Sequence, residues 1–236
     1  MSNIGFRIFS PSRAPRALVD LYEGFPTPNV SDNMSRLNGV SAEVRALHGS
    51  ARLLGSAFTV RTRPGDNLIV HKALDLLEEG DVLVVDAGGD TSNAILGEIM
   101  MRIAASNGAS GMVIDGAIRD VAAFGRAGFP CFARAATHRG PYKDGPGEIN
   151  VPVTVGGAIA RPGDIVLGDA DGVVIVPLEH ADEIARKVQE TMSAEAETMR
   201  QIDQGSLDRS WVDRALVEKG CQWVGDHYQS APVARR

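Results

Sequence analysis

Residues 81–120 decide the fold, and their sequence is DVLVVDAGGDTSNAILGEIMMRIAASNGASGMVIDGAIRD. Residues 81–86 are an apolar run of strand length bounded by two aspartates, which is typical of a strand buried on both faces. The Gly88-Gly89 pair ends this strand. The apolar pattern of residues 95–105 is too long and too broad for a strand, so it predicts a largely buried helix that the following Asn-Gly pair stops.

A second strand is predicted over residues 111–115, and Arg119-Asp120 lies shortly after its end. A right-handed crossover makes the two strands parallel, so both end at one edge of the sheet, where α/β proteins usually bind their ligands. The helix begins near Gly97, and a helix start offers backbone N–H groups that favour an anion. Because glycine has no side chain, Gly97 lets a ligand approach closely. The pattern predicts an anion site at this edge.

The Arg119-Asp120 pair has the chemistry that a small anionic substrate needs. Arg119 offers a planar fork for a carboxylate, and Asp120 offers a hard oxygen ligand for a divalent cation. A salt bridge at the end of a strand is the simpler interpretation of an isolated Arg-Asp dipeptide, because such surface pairs are common and contribute little. The nearby glycine-rich strand end and helix start favour a functional site.

Four short motifs carry a resemblance to a known family: Asp86-Ala87-Gly88-Gly89, Gly97-Glu98-Ile99-Met100, VIDGAIRD at 113–120, and Phe129-Pro130 with Phe132-Ala133-Arg134. Through them, residues 80–177 resemble the RraA-like family, and a weaker likeness covers residues 25–205. The enzymatic branch of that family comprises the class II pyruvate aldolases, which cleave 4-hydroxy-4-methyl-2-oxoglutarate and 4-carboxy-4-hydroxy-2-oxoadipate.

The aldolase branch has a sequence signature that begins with an acidic residue. Twenty further residues separate this acid from an Arg-Asp pair, and after two more residues comes Glu or Asp. Glu98, Arg119 and Asp120 fit this spacing, whereas position 123 is alanine. The founding branch of the family inhibits an endoribonuclease by protein contact and lacks the acid after the arginine. Asp120 therefore favours an enzyme over a non-catalytic regulator of ribonuclease activity, and Ala123 leaves another oxo-acid substrate open.

The resemblance implies an α/β fold of the layered swivelling β/β/α type and a metal-dependent lyase. Such an enzyme cleaves a 4-hydroxy-2-oxo diacid to pyruvate and a second oxo acid, and it decarboxylates oxaloacetate because loss of CO₂ leaves the same enolate. The resemblance implies that Asp120 anchors Mg²⁺ or Mn²⁺ and that Arg119 contacts the keto oxygen. The substrate-binding residues that it implies are Gly97, Glu98, Ile99, Met100 and Arg119.

Composition excludes several other classes of protein. The 236 residues include 24 Lys and Arg and 30 Asp and Glu, giving a formal charge of −6 without a dense basic cluster, so nucleic acid is not expected as a partner. Two cysteines, Cys131 and Cys221, indicate reduced thiols and not a disulfide framework. No apolar run is long enough for a signal peptide or a membrane span. These features predict a cytoplasmic protein.

Three segments are predicted: a loose arm over residues 1–14, an α/β domain over 15–177 and a helical extension with a tail over 178–236. Between the central unit and the extension, short strands at 151–155, 164–167 and 172–176 favour a mixed sheet. The polar loop 137–150 could cover a site. His71 is left out of the predicted site, because a lone histidine is more often structural. Asp32 is interpreted as a helix cap.

The extension predicts a long helix ending near Gln204, with an apolar seam of positions at alternating spacings of four and three; they are Ala181, Ala185, Val188, Met192, Glu195, Met199 and Ile202. Packing against the parent domain and packing against a neighbouring subunit both explain the seam. The resemblance implies a homotrimer or hexamer in which an acid from this region enters an adjacent active site. Glu195 is the better candidate because it lies on the seam, although a carboxylate at the rim of the seam is the simpler interpretation.

Overall fold

The computed structural model describes residues 5–47, 49, 52–223 and 225. The strands are β1 (Phe6–Ile8), β2 (Arg45–Ala46), β3 (Leu53–Thr62), β4 (Asp81–Asp86), β5 (Ala94–Leu96), β6 (Gly111–Ile118), β7 (Cys131–Ala136), β8 (Gly147–Ile149), β9 (Val153–Val155), β10 (Ala158–Ala160), β11 (Ile165–Asp169) and β12 (Gly172–Val176). The helices are α1 (Arg16–Asp20), α2 (Thr27–Asp32), α3 (Leu68–Leu74), α4 (Glu98–Ser106), α5 (Val121–Ala127), α6 (Ala181–Asp203) and α7 (Ser210–Glu218). Two compact units divide the chain after Met192.

The first unit is built on a mixed sheet whose main path is β1-β8-β3-β4-β6-β7-β2. Strands β3, β4, β6 and β7 are parallel to one another, which confirms the parallel strand–helix–strand unit predicted from residues 81–120. The register pairs Asp86 with Asp115, so the carboxyl ends of β4 and β6 lie side by side. Every residue of β6 is buried, as expected for a strand that is covered on both faces.

Separate apolar clusters fill the two faces of this sheet. On one face α3, α4 and α5 contribute Val70, Leu74, Met101 and Phe124, which pack with Leu83 and Ile114 of the strands. On the other face the antiparallel hairpin of β9 and β10 packs with β11 and β12. A third cluster joins α1, α2 and the first turns of α6 to β11 and β12. The layered α/β architecture predicted from the sequence is confirmed.

Three short strands correct the sequence-based assignment. Residues 94–96 form β5 beside β6, so residues 95 and 96 of the predicted helical pattern belong to a strand, and helix α4 begins at Glu98, next to the predicted start near Gly97. Residues 147–149 form β8 inside the predicted loop and pair with both β1 and β3. Residues 6–8 form β1, so the expected loose arm is wrong for this segment. Each strand has only three residues, which is too short for alternation of apolar and polar positions to reveal it.

Asp32 does not cap a helix start, since α2 runs from Thr27 to Asp32 and places Asp32 at its carboxyl-terminal end. Pro28 lies in the first turn of α2, where its missing N–H costs nothing. The Asp32 carboxylate accepts from Arg36 Nε at 2.8 Å. The two prolines around Thr27 are thus the stronger signal for a helix start than the Ser31-Asp32 pair.

The long carboxyl-terminal helix is confirmed as α6, with a 3₁₀ turn at Leu178–His180 before it. Within the first unit, Ala181, Ala185 and Val188 are buried against the parent domain, in the cluster that contains Tyr22. Packing against the parent domain therefore explains the first half of the predicted seam.

The second unit, residues 193–236, contains the last turns of α6 and helix α7. Its large apolar side chains Met199, Ile202 and Trp211 are exposed by half or more. The end of the predicted tail, residues 226–236, lies outside the described residues. Within the part of the chain that is described, no helix has the length and apolarity to span a membrane.

Candidate active site

Arg119 and Asp120 lie where β6 ends and α5 begins. The Arg119 backbone N–H donates to the Leu96 carbonyl of β5 at 2.9 Å, which fixes the end of β6. Asp120 adopts φ 58° and ψ 34°, and its carbonyl accepts from Ala123 N–H at 2.8 Å to start α5. Few residues other than glycine adopt this left-handed conformation, although aspartate tolerates it better than most. Its surroundings hold Asp120 in an uncommon conformation, which is frequent at functional sites.

The Asp120 carboxylate lies at the start of helix α4. Its Oδ2 accepts a hydrogen bond from the Glu98 backbone N–H at 3.0 Å, and Arg119 Nε lies 3.7 Å from the same oxygen. The helix dipole favours negative charge at this position. Both side chains remain close to half exposed, so they are open to a ligand. The structure thus brings the pair and the helix start together, as the sequence predicted.

Gly97 makes this arrangement possible by its lack of a side chain. A Cβ at position 97 would lie 2.4 Å from Asp120 Oδ2 and 2.8 Å from Arg119 Cγ, closer than van der Waals contact allows. The Gly97 backbone is extended, with φ −154°, so any residue could adopt its conformation. The glycine is required for space and not for backbone freedom.

Two clefts flank the Arg-Asp pair. The first has a volume of about 390 Å³ and is lined by Asn67, His71, Ile95, Leu96, Gly97, Ile99, Met100, Arg119, Asp120, Gly140, Pro141 and Lys143. The second has a volume of about 530 Å³ and is lined by Arg119, Asp120, Val121, Ala136, Thr137 and His138. The first cleft combines a helix start with the cationic side chains of Arg119 and Lys143, so it favours an anionic ligand.

Sequence reasoning missed Asn67, His71 and Lys143 as cleft residues. Asn67 is 3% exposed; its Nδ2 donates to the Ile95 carbonyl at 2.8 Å, and its Oδ1 has no hydrogen-bond partner among the described residues. Burial and the nearby Lys143 charge lower the pKa of His71 below its ordinary value, so this imidazole is neutral at pH 7. The spacing of four residues between Asn67 and His71, on one side of α3, was the available signal.

Two glutamates of the predicted site are placed differently from the pair. The Glu98 carboxylate forms a salt bridge with Arg102 at 2.6 Å, so Glu98 contributes its backbone N–H to the site. Glu195 is exposed in the second compact unit. Ala123, where the aldolase signature has an acid, is 5% exposed and packs in the core beside Phe124. The side chain of an acidic residue at position 123 would therefore be attached at a buried position of α5.

The oxygen ligands at Asp120 fit a hard divalent cation. No group of three or more His, Cys, Asp or Glu side chains within the described ranges could hold a metal ion. A cation here would take one carboxylate from this subunit, with waters and substrate oxygens in its remaining positions. Mg²⁺ commonly binds through one or two carboxylates in this way, whereas structural zinc requires a nitrogen and sulfur set. The residues present fit Mg²⁺ or Mn²⁺.

Comparison with known proteins identifies a matching family and relatives of similar sequence. Residues 27–175 match the RraA-like family, described as Aldolase/RraA. A protein of Halalkalibacterium halodurans, named provisionally as a 4-hydroxy-4-methyl-2-oxoglutarate aldolase, is 36% identical over 88% of this chain and 97% of its own length. A 4-hydroxy-4-methyl-2-oxoglutarate aldolase of Thermus thermophilus is 34% identical over 64% of this chain and 92% of its own.

One solved structure has a fold similar to that of this chain. It is the crystal structure of a Streptomyces coelicolor protein, described as an unusual member of the RNase ES inhibitor RraA protein family. The two folds superpose with a TM-score of 0.73 at 27% identity, over 80% of this chain and 98% of the other.

Proposed function

The chain belongs to the RraA-like family, and from this premise we propose that it is a divalent-metal-dependent aldolase. The proposed reaction cleaves a 4-hydroxy-2-oxo diacid such as 4-hydroxy-4-methyl-2-oxoglutarate to pyruvate and a second oxo acid. The observation that carries the proposal is the junction of Arg119, Asp120 and the start of α4 in one cleft. The names of the relatives support a lyase, and the cleft supports an anionic substrate.

Retro-aldol cleavage requires stabilisation of negative charge that develops beside a carboxylate, on the enolate of pyruvate. The first turn of α4 offers the backbone N–H groups of Ile99 and Met100 for the substrate carboxylate. Arg119 offers a fork that can bind the carboxylate and the keto oxygen together. Because the two amide donors are fixed by the backbone of α4 before the substrate binds, they stabilise the developing charge without reorganisation.

Asp120 would hold the divalent cation, Mg²⁺ or Mn²⁺. When bound, the cation supplies a Lewis acid for the oxo and carboxylate oxygens of the substrate. The Glu98 N–H and the Arg119 guanidinium both face Oδ2 of Asp120 and orient the carboxylate for this task. The neutral His71 and the Lys143 ammonium group, which also line the cleft, can donate hydrogen bonds to the anion.

A neighbouring subunit would complete the site. We propose a homotrimer or a hexamer in which the Glu195 side chain of one subunit contributes to the cleft of another. The exposed Met199 and Ile202, on the same side of α6 as Glu195, support an apolar contact with a second subunit. Oxaloacetate decarboxylation is proposed as a side activity, because it passes through the same enolate.

A second candidate function is a protein-binding regulator of ribonuclease activity. The observation that favours it is the similarity to the Streptomyces coelicolor protein of the RNase ES inhibitor family. Asp120 favours the enzyme, since contact with a protein does not require a carboxylate at a helix start beside an exposed arginine fork. The same scaffold acting on another oxo acid is the remaining alternative, and a panel of substrates separates it from the first.

The test is an assay of pyruvate release from a panel of 4-hydroxy-2-oxo acids and oxaloacetate, with and without chelation. We expect activity with Mg²⁺ or Mn²⁺, loss of activity with EDTA, and recovery when the metal is restored, because hard oxygen ligands are the available set. Turnover that EDTA leaves unchanged would contradict the metal dependence. If no acid of the panel yields pyruvate and the protein inhibits a ribonuclease, the result would support a regulator of ribonuclease activity.

A further inference from the structure

Asp66 is a buried aspartate that directly precedes Asn67 of the cleft. Its side chain is fully buried, yet both carboxylate oxygens are hydrogen-bonded. Oδ1 accepts from the Leu68 backbone N–H at 2.9 Å, at the start of α3. On the opposite side, Oδ2 accepts from the backbone N–H groups of Asp144 at 2.8 Å and Gly145 at 3.0 Å. One carboxylate therefore joins two separate segments of the chain.

Both segments line the first cleft. Asn67 caps the start of α3 and His71 lies on that helix, while the segment 137–147 carries Lys143, and all three residues line the cleft. Two backbone hydrogen bonds reinforce the junction: Tyr142 N–H donates to Gly65 O at 2.8 Å, and Asn67 N–H donates to Tyr142 O at 3.0 Å. The contacts around Asp66 thus join two of the segments that line the cleft.

The charge of Asp66 is stabilised where it lies. Burial opposes its ionisation, but the N–H donors of Leu68, Asp144 and Gly145 and the Arg63 guanidinium, 2.9 Å from Oδ2, together lower the pKa of Asp66 below its ordinary value. Hydrogen bonds to an ionised acceptor are shorter and stronger than those to a neutral one. Asp66 therefore stays ionised at neutral pH, and its two oxygens accept hydrogen bonds from all three backbone N–H groups.

We propose that Asp66 is a positioning residue that holds the 137–147 segment against the start of α3 and thereby keeps Lys143 near Asn67 and His71 in the substrate cleft. This inference rests on the proposed function for the identity of the ligand, but the junction itself does not depend on it. Asp66 acts through its neighbours and does not touch the ligand. Its loss should weaken ground-state binding of the anion more than the chemical step.

The variant that tests the proposal is Asp66→Asn. An amide has one accepting oxygen, so its NH₂ group must face either the Leu68 N–H or the Asp144 and Gly145 N–H groups. Asp164 offers a matched control, because it is 2% exposed and its two oxygens also accept from backbone N–H groups, those of Arg161 at 2.8 Å and Leu178 at 3.1 Å. Asp164→Asn repeats the chemical change outside both clefts.

Two measurements are made on both variants and on the native protein. In steady-state kinetics with oxaloacetate, we expect Asp66→Asn to raise KM about tenfold while kcat changes less than about threefold. In hydrogen exchange, we expect residues 137–147 to exchange at least about tenfold faster in Asp66→Asn. Asp164→Asn should change neither the KM nor the exchange rate of residues 137–147, even if it lowers thermal stability as much as Asp66→Asn does. Unchanged KM and exchange in Asp66→Asn, or equal changes in both variants, would overturn the proposal.

The exchange experiment also separates this proposal from the proposed function. If the native protein has neither aldolase nor decarboxylase activity, the proposed function fails. The exchange of residues 137–147 predicted here can still be measured in that case. If Asp66→Asn does not fold, the native protein alone decides. Residues 137–147 should then be protected from exchange to within about tenfold of strand β8, and exchange at the rate of an unstructured chain would refute the junction.

Discussion

At the residue scale, the site depends on close approach and on hydrogen bonds between distant segments. The sequence predicted Gly97, Arg119 and Asp120 because a glycine at a helix start and an Arg-Asp pair after a strand each have a recognisable chemistry. It did not predict Asn67, because its amide joins the cleft through the Ile95 carbonyl, a contact across 28 positions of the chain. Pairings of that kind follow from the path of the backbone and leave no local pattern.

Gly97→Ala is expected to reduce kcat/KM for oxaloacetate by at least about a hundredfold, because the methyl group collides with Asp120 Oδ2 and displaces the carboxylate. The control is Gly125→Ala in helix α5, where an added Cβ meets nothing within 4 Å. That variant should keep its activity and gain up to about 1 kcal/mol in the free energy of unfolding. The assay is pyruvate release, with urea unfolding as the measure of stability. Native activity in Gly97→Ala would show that the close approach is not needed.

At the element scale, long buried elements were predictable and three-residue strands were not. Strands β4 and β6 appear in the sequence as apolar runs bounded by charge or glycine. By contrast, only Gly97 and Glu98 separate β5 from the apolar residues of α4, so Ile95 and Leu96 were assigned to the apolar pattern of the helix. Strand β8 lies in a segment rich in glycine and proline, and its pairing with β1 and β3 depends on tertiary contacts.

Strand β8 carries a fully buried glutamate that links it to both neighbouring strands. Glu148 forms salt bridges with Arg7 of β1 and Arg61 of β3. The hydrogen bond from Arg7 is the main cause that holds the pKa of Glu148 below its ordinary value, with further contributions from Gly5 N–H and Arg61 against the effect of burial. The lowered pKa means that ionised Glu148 stabilises the native protein above its unfolded-state pKa, and that this stabilisation is lost as the pH falls through the lower native value.

Glu148→Gln should therefore lower the free energy of unfolding at pH 7 by about 1.5 kcal/mol, because two guanidinium groups that solvent partly screens lose their charged partner. It should also reduce the loss of stability that the native protein shows as the pH falls below about 4.5. Urea unfolding of both proteins at several pH values between about 3 and 7 measures both effects. An identical pH dependence in the two proteins would show that Glu148 does not carry this stabilisation.

At the scale of the whole molecule, the sequence predicted the apolar seam of α6 but could not identify the surface that packs against this seam. The first half of the seam packs on the parent domain through Ala181, Ala185 and Val188. The second half leaves Met199 and Ile202 exposed at 62% and 51%. Sequence periodicity identifies an apolar side of a helix without identifying what covers it. Assembly through the exposed part remains a prediction.

Met199→Glu with Ile202→Glu should dissociate the proposed trimer or hexamer, because both charges would be buried at an apolar contact. The control is Gln201→Glu with Gln204→Glu, which adds the same charge on the other side of the helix. Light scattering should report monomers for the first pair and the native assembly for the second. Activity should fall in parallel with dissociation if Glu195 of one subunit completes the cleft of another. A native protein that is active as a monomer would contradict this assembly.

The central claim is that Asp120 is the metal ligand of an aldolase site, and the most direct test is pyruvate release from 4-hydroxy-4-methyl-2-oxoglutarate by Asp120→Asn at saturating Mg²⁺. The asparagine keeps the size of the side chain and an oxygen for the Glu98 N–H, but it removes the charge that would hold the cation. We expect an active native enzyme and a loss in kcat of at least about a thousandfold in the variant. An Asp120→Asn protein that retains more than about a tenth of the native rate would contradict it.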